Sequence, residues 1–490
     1  MGIIQRQGIT NTLITGAGII IGFISLIYIQ PKFLSKEELG LVRVLFSFSA
    51  LIGTIFPLGT GSITTRFFPF FKNSDQRHHG YFALMVLWPL VGFMLFALLL
   101  AVLKPWIVSQ YIEQSALFTT YFNFVFVFTL VLGMVSVLTS YLFALFRTIF
   151  PGILNDIVQR MMFIAVILLY YFGYYDFTGF VMAFIGIYVL QLLILTVYII
   201  ITDRPGLKVN FAYLKSRNPR QMLSYGMVLS FSALAGLGLK YIDVVMLGKF
   251  VDLSQVGIYA VAAFIPTVIE APLNALDKIT NPKIGDAWAK GRLDEIKEIY
   301  FKSTKYLMLL GGLLFLGINL NIASLYEIIP NNYSAGIPVV IIISIGTFIN
   351  MCTGVNDAIL FNSPKFIYGT YLLLLLLVMA IINNLVFIPL FGITGAAIAT
   401  ALSALIYNFV KYLYIWHTFK LQPFNLDTAK ILGVILAIVA LNFIFPASDN
   451  PYLTIILRSA FITILYVCLT LLLKIIPEFH HLLPFRKKSL

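Results

Sequence analysis

The chain has 490 residues, of which 60% are hydrophobic and only 11% charged, with a formal net charge of +13 and a mean hydropathy of +0.95. Soluble globular proteins are about 45–50% apolar and about 25% charged, so this composition excludes one. The sequence also lacks the period-two alternation of an outer-membrane barrel, which leaves a polytopic all-α membrane protein.

Apolar stretches long enough to cross the roughly 30 Å hydrocarbon core are predicted, in order, at roughly 8–30, 41–63, 80–103, 117–146, 151–173, 177–201, 221–248, 255–278, 304–325, 335–360, 366–388, 393–416, 429–446 and 452–475. That makes about fourteen transmembrane helices. The first reads as a helix and not a cleavable leader, because no Ala-x-Ala-like site follows it. The longest polar stretches are 202–220 and 278–305. The second alternates in sign through Asp286, Lys290, Arg292, Asp294, Glu295, Lys297 and Glu298, and is predicted as an amphipathic cytoplasmic helix. Pro57, Pro89, Pro266, Pro272 and Pro338 fall inside spans; each removes a backbone donor, and Pro266 with Pro272 predicts a bend in the eighth span. Cys352 and Cys468 sit in apolar segments and imply neither a disulfide framework nor a metal site.

Of the 33 lysines and arginines, only Lys32, Lys36, Lys104 and Lys249 fall in loops on one side, and Arg43, Arg160, Lys240 and Arg458 fall within spans. The rest, Lys411 and Lys420 among them, collect on the opposite side. The positive-inside rule makes that side cytoplasmic and places both termini there. Topology, with contact to anionic lipid headgroups, accounts for the basic charge without nucleic acid. His78-His79 and His480-His481 lie in cytoplasmic polar segments with no third ligand at metal spacing, and read as solvated pairs. No Walker A loop is present, and nothing in the sequence asks for a cofactor.

Two stretches echo each other. Lys32-Phe33 and Lys249-Phe250 each end an apolar helix. At the same distance beyond each comes an apolar residue and a glycine, Leu39-Gly40 and Val256-Gly257, opening the next helix. Self-similarity at one fixed offset predicts two structural repeats, and repeated halves in transporters often hold the substrate between them.

Asp243 followed by Leu247-Gly248, then Val256-Gly257, Tyr259 and Ala262, resembles the mid-chain signature of polysaccharide flippases, a branch of the multidrug/oligosaccharidyl-lipid/polysaccharide exporter superfamily. Phe391 through Gly395, Ala397 and Thr400, and Leu58-Gly59 with Thr64 and Arg66, are similar to further pieces of that family. The resemblance implies two pseudo-symmetric six-helix bundles around a central cavity, over 1–201 and 221–420, joined by a cytoplasmic linker at 202–220. A C-terminal helix pair and basic tail at 421–490 would complete the fold. It also implies alternating access, an undecaprenyl-diphosphate-linked oligosaccharide as substrate, the bacterial inner membrane, and a polysaccharide polymerase and glycosyltransferases as partners in biosynthesis.

Ionisable groups in the spans carry the functional weight, since each costs roughly 2.5–3.5 kcal/mol at a helix centre. Arg160 lies about 13 Å into the fifth span by helical rise, with Asp156 one turn before it for an i,i+4 pair. It is either a self-neutralising structural pair or a guanidinium that grips a diphosphate. Lys240 and Asp243 repeat that pattern at i,i+3. Arg43 is near the outer end of its span, and Arg66 and Arg147 are at inner ends, where they form a cytoplasmic mouth for an anionic lipid or simply set topology. Arg458 lies outside the presumed bundles. Glu270, between Pro266 and Pro272 with no basic residue within one turn, is a candidate proton or sodium coupling site, with Asp243 and Asp357 as further candidates. A cation-coupled multidrug exporter of the same fold is the alternative function. A membrane glycosyltransferase or polymerase ranks below both, because the external loops are short.

Overall fold

The computed structural model describes residues 3–73, 77–445 and 448–475, with side chains from Thr10 onward. The second histidine pair and the C-terminal arginine and lysines therefore lie outside the described residues. Every regular element described is helical. Twelve helices are long and apolar enough to cross a membrane, or thirteen with one bent pair counted as a span. The chain is a multi-pass membrane protein. It divides into two compact units, Met1–Gly257 and Ile258–Leu490.

The first unit holds α1 (Thr10–Phe33), α2 (Lys36–Ile55), α3 (Thr60–Phe71), α4 (Tyr81–Tyr111), α5 (Ala116–Tyr121), α6 (Phe124–Ala144), α7 (Ile149–Tyr171), α8 (Phe177–Asp203), α9 (Phe211–Ser216) and α10 (Pro219–Phe250), and the start of α11 (Leu253–Phe264). At its centre α2 packs against both α6 and α10. Lipid tails are as apolar as leucine, so helices in a bilayer associate through close packing and not through removal from water. Small residues provide it here. At Gly53 on α2 an added Cβ would sit 3.4 Å from the Gly133 nitrogen of α6. Aromatic rings fill the rest, with Phe128 5.0 Å from Tyr188 and Phe48 5.9 Å from Phe122.

The echoed glycines meet. A Cβ on Gly40 would strike the Leu253 carbonyl at the start of α11, and a Cβ on Gly257 would strike the Lys36 carbonyl at the start of α2. The residues before the two helices match as well. Ser35 caps α2 in a capping box with Glu38, and Asp252 caps α11 by accepting from the Gln255 N–H (3.0 Å). The Leu58-Gly59 motif has a similar cause. Gly59 has φ 73° and lies against the Gly226 backbone of α10, leaving no room for a Cβ.

The first histidine pair differs from its sequence expectation. His78 is buried. Its Nδ1 accepts from the Asn73 N–H (3.0 Å), which leaves Nε2 to donate to Asp203 (3.1 Å) at the end of α8. Tyr141 donates to the other Asp203 oxygen (2.6 Å). His79 stacks on Tyr213 at 3.7 Å. The pair is a structural clip, because the chain near Asn73 and the linker after α8 supply partners that sequence distance conceals.

The second unit contains α12 (Thr267–Ala289), α13 (Leu293–Asn319), α14 (Ile322–Ile328), α15 (Ile337–Cys352), α16 (Asn356–Asn362), α17 (Phe366–Phe419), α18 (Leu426–Ala440) and α19 (Pro451–Leu472). The bend expected at Pro266 is present, with α11 and α12 meeting at 47°. The separate amphipathic helix expected over 278–305 is not. Its residues instead extend α12 to Ala289 and begin α13 at Leu293, around a tight turn at Gly291 (φ 67°). The tenth span is likewise broken, at Gly354 (φ 63°), between α15 and α16.

Helix α17 runs 54 residues, about 80 Å at 1.5 Å per residue, far beyond one crossing. It is interrupted at Gly392 (φ 58°, ψ −132°). A Cβ on Gly395 would strike the Phe387 carbonyl, a contact residues two turns apart on a straight helix never make. The chain doubles back there, which is the structural reason for the Phe391–Gly395 motif. Helices α18 and α19 pack on α13 through Ile431, Ile435, Ile438 and Ile462 against Met308 and Leu316. Arg458 ties α19 to the end of α13 by donating to the Leu320 carbonyl (2.8 Å).

Candidate functional site

In the first unit Arg43 and Arg160 both reach α1 and lie within electrostatic reach of each other. Gly18 and Gly22 on α1 form a small-xxx-small groove of the kind that lets membrane helices approach closely. Asp156 of α7 lies against Gly18, and the Arg160 guanidinium lies across Gly22. From there Arg160 Nη1 donates to the Gly18 carbonyl (2.6 Å), while Asp156 accepts from Thr15 Oγ1 (3.2 Å). Of the two alternatives for Arg160, the Asp156–Arg160 ion pair is not formed. Residues Leu154–Val158 are π-helical, and the wider turn takes i and i+4 off one face, so both side chains find partners on α1.

Arg43 reaches α1 from α2. Its Nη2 donates to Gln30 Oε1 (2.7 Å), and Gln30 in turn donates to Ser25 Oγ (3.0 Å). Arg43 Nε is buried with no hydrogen-bond partner among the described residues. Arg43 and Arg160 lie within electrostatic reach of each other, and both reach Tyr188. Neither arginine forms an ion pair with a carboxylate among the described residues. Tyr241 of α10 faces Arg43, and Lys240 beside it is exposed, with Nζ 5.2 Å from the Tyr241 ring centre. Asp243 is buried in the same helix. Tyr188, Tyr241 and Gln30 were not singled out from the sequence. Gly18-x-x-x-Gly22 was the legible signal for this corner.

Arg66 and Arg147 are not part of this cluster. Both are exposed at helix ends. Arg66 stacks on Tyr225 at 4.4 Å, and Arg147 donates to the Thr202 carbonyl (3.4 Å).

The second unit holds a separate charged centre. Lys411, assigned to the cytoplasmic side by its sequence position, is fully buried within α17, inside the span predicted at 393–416. Its Nζ lies 2.7 Å from Asp357 Oδ1 and 4.3 Å from the Tyr407 ring centre. The Tyr407 hydroxyl donates to the same carboxylate (3.2 Å). Glu270 begins α12 just beyond the bend and accepts from Asn350 Nδ2 (3.3 Å). Asp277, two turns further along, has a buried Oδ1 with no hydrogen-bond partner among the described residues and feels Asp357, Lys411 and Glu270. Asp357 and Asp277 thus share Lys411, and Glu270 lies within electrostatic reach of both carboxylates. Asp277 escaped the sequence reading because its span was ended at 278, whereas α12 continues well past it.

Residues 4–276 match the family described as "Polysaccharide biosynthesis protein". The chain belongs to that family. Among relatives, it is 24% identical over 267 residues to the "Probable low-salt glycan biosynthesis flippase Agl15" of Haloferax volcanii, a match covering 54% of this chain and 56% of that protein. The chain thus spans little more than half of that curated relative. Its fold is that of solved transporters. A lipid II flippase MurJ in an inward closed conformation superposes with a TM-score of 0.73 at 11% identity, over 97% of this chain and 99% of that one. An inward-facing multidrug resistance MATE family transporter of the MOP superfamily superposes at 0.62 and 14% identity, covering 84% and 97%.

Proposed function

We propose that this family member is a flippase that carries an undecaprenyl-diphosphate-linked oligosaccharide across the bacterial inner membrane by alternating access, without catalysing a reaction. The observation that carries the reading is the Arg43–Arg160 pair. Two guanidiniums within electrostatic reach of each other in a membrane-embedded unit, neither paired with a carboxylate among the described residues, repel each other at low dielectric. A diphosphate, binding through bidentate hydrogen bonds, would relieve that repulsion. Arg160 can trade its carbonyl partner on α1 for a phosphate oxygen, and Arg43 Nε supplies a further donor. Lys240, on the neighbouring α10, adds a cation, and Arg66 and Arg147 serve the cytoplasmic side.

The family match, the similarity to a glycan flippase and the shared fold support the transporter class. We count the two arms of α17 as separate crossings and α11 with α12 as one, which makes fourteen spans; the charge asymmetry supports both termini inside, and the Gly40 and Gly257 echo supports two repeats. We assign a polymerase and glycosyltransferases to the steps that make and use the cargo. Glu270, Asp277 and Asp357 with Lys411 are the coupling centre. The single lysine cannot neutralise three carboxylates, and a buried unpaired charge is costly, so protons or a sodium ion complete it. Asp243 is a lesser coupling candidate. The same carboxylate-rich centre is the observation that favours the second reading, a cation-coupled multidrug exporter.

Glycan export in a strain dependent on this protein tests the choice. Arg160→Ala should abolish export while membrane levels stay normal, and Arg160→Lys should restore only part, because the planar fork is lost. Normal export by Arg160→Ala would remove the diphosphate reading and leave the drug exporter.

A further inference from the structure

A second basic site lies apart from the Arg43–Arg160 pair, where α3 ends and α10 begins. A cavity of about 450 Å³ is lined by Arg66, Arg220, Asn218, Gln221, Ser224 and Tyr225, with Phe67 and Val228. That volume is within the range of small-molecule sites, about 300–1,000 Å³. The polar side chains in it are cations or neutral hydrogen-bonding groups, with no carboxylate in the lining.

Arg66 is held so that its donors stay available. Arg66 presents its face to Tyr225, 4.4 Å away, and to Phe67, 5.5 Å away. Stacking of this kind occupies the face of the guanidinium and leaves its in-plane N–H groups unengaged. Neither Arg66 nor Arg220 pairs with a carboxylate among the described residues. Nearby basic residues differ: Arg217 Nη2 donates to the Tyr213 hydroxyl (2.9 Å) and Arg147 to a carbonyl. The helices that carry the lining are tied together where Gly59, ahead of α3, meets the Gly226 backbone of α10. The linker is pinned by Tyr213, whose hydroxyl donates to the Phe70 carbonyl (2.8 Å), and by the Asn210 N–H to His79 carbonyl bond (3.1 Å). Asn218 caps α10 by accepting from the Gln221 N–H, and the positive end of the 32-residue helix points the same way as the two charges.

We propose that this cavity binds a phosphate-bearing anion on the cytoplasmic side, gripped by Arg66 and Arg220 with Gln221, Ser224 and Tyr225 as neutral donors. The anion is either a soluble diphosphate or the headgroup of an anionic lipid. The inference stands on the cavity alone; only its cytoplasmic placement rests on the charge topology. It does not depend on the Arg43–Arg160 reading.

The test is site-resolved. The full chain in neutral phosphatidylcholine nanodiscs is treated with phenylglyoxal, with and without inorganic pyrophosphate, and modification is read by peptide mass spectrometry. Pyrophosphate should slow modification of Arg66 and Arg220 at least fivefold and leave Arg217 unchanged. In Arg220→Gln, protection of Arg66 should fall toward none. A parallel arm replaces pyrophosphate with nanodiscs containing phosphatidylglycerol. Protection in that arm alone assigns the site to a lipid headgroup, and protection by pyrophosphate assigns it to the soluble group. Equal modification of Arg66, Arg220 and Arg217 in both arms overturns the proposal, whatever the export assay of Arg160→Ala returns.

Discussion

Lys411 and Asp357 are bound to each other at 2.7 Å, yet their surroundings differ: the lysine side chain is 0% exposed and the aspartate side chain 45%. Removing one partner of a buried pair costs about 3–5 kcal/mol because the other is left uncompensated. Here the penalty should be lopsided. Lys411→Met leaves Asp357 partly in contact with solvent, whereas Asp357→Asn strands a charge in the middle of α17. Thermal unfolding in detergent should therefore show Asp357→Asn as the more destabilising, toward the lower end of that range given the half-open aspartate, with the double substitution costing less than the sum of the singles. Equal losses would mean that the lysine reaches water by a route the structure does not show. The pair also shows what a sequence conceals at this scale. Lys411 falls inside a predicted span, but proximity to Lys420 made it look like part of a cytoplasmic cluster. Its partner lies 54 positions away, beyond any local pattern.

Helix starts and crossings carry the next level. Asp252 lies outside the spans. Burial raises its pKa, but Ser254 Oγ (2.7 Å), the Gln255 N–H (3.0 Å) and Gln255 Nε2 (2.9 Å) all donate to it, and together they hold its carboxyl below the usual value. A depressed folded pKa means the stabilisation is present above the ordinary carboxylate value, about 3.9, and is lost as pH falls through the folded value. Asp252→Asn keeps a capping oxygen but cannot titrate. The difference in Tm between wild type and Asp252→Asn should thus shrink as pH is lowered from neutrality into the acid range; a constant difference would show the carboxylate is not the pH-dependent group. At the crossing itself, Gly40→Ala drives a methyl into the backbone of Leu253, which cannot rotate away. It should lower Tm clearly, while Gly186→Ala on α8, with nothing within 4 Å of the added Cβ, should be neutral or raise stability by up to about 1 kcal/mol through helix propensity. A tolerated Gly40→Ala would mean α2 and α11 can part without loss. Spans and the Pro266 bend were legible because they depend on neighbours in sequence. The Asp156–Arg160 pairing was not, because a π-turn in one helix changes which residues share a face, and no spacing rule announces it.

For the molecule as a whole, the charge asymmetry predicts the orientation. Cys352 and Cys468 are the two free thiols, so a variant lacking both gives a clean background for single cysteines. In intact cells a membrane-impermeant maleimide should label Lys104→Cys and spare Lys215→Cys, with the pattern reversed in inside-out vesicles. Labelling of Lys215→Cys from outside would invert the topology and move the Arg66–Arg220 cavity to the other face. At this scale the sequence was most informative, since apolar length alone locates nearly every crossing. It missed the break at Gly354, where hydropathy stays high while the helix ends and restarts, and the turn at Gly291 that splits the stretch expected as one amphipathic helix.

The reciprocal contact of Gly40 and Gly257 bears on ancestry. Each glycine meets the backbone just ahead of its own counterpart, as matching residues do across an isologous dimer interface. A half-length protein making that contact with a second copy of itself would have needed the glycine only once, and a single codon would have governed both sides. Joined in one gene, the same contact is written twice. Each position now drifts separately, yet a side chain gained at either is felt at the helix start that the other belongs to. If the two halves arose by duplication, the crossing is a homodimer seam kept inside a monomer, and two codons carry a constraint that would once have fallen on one.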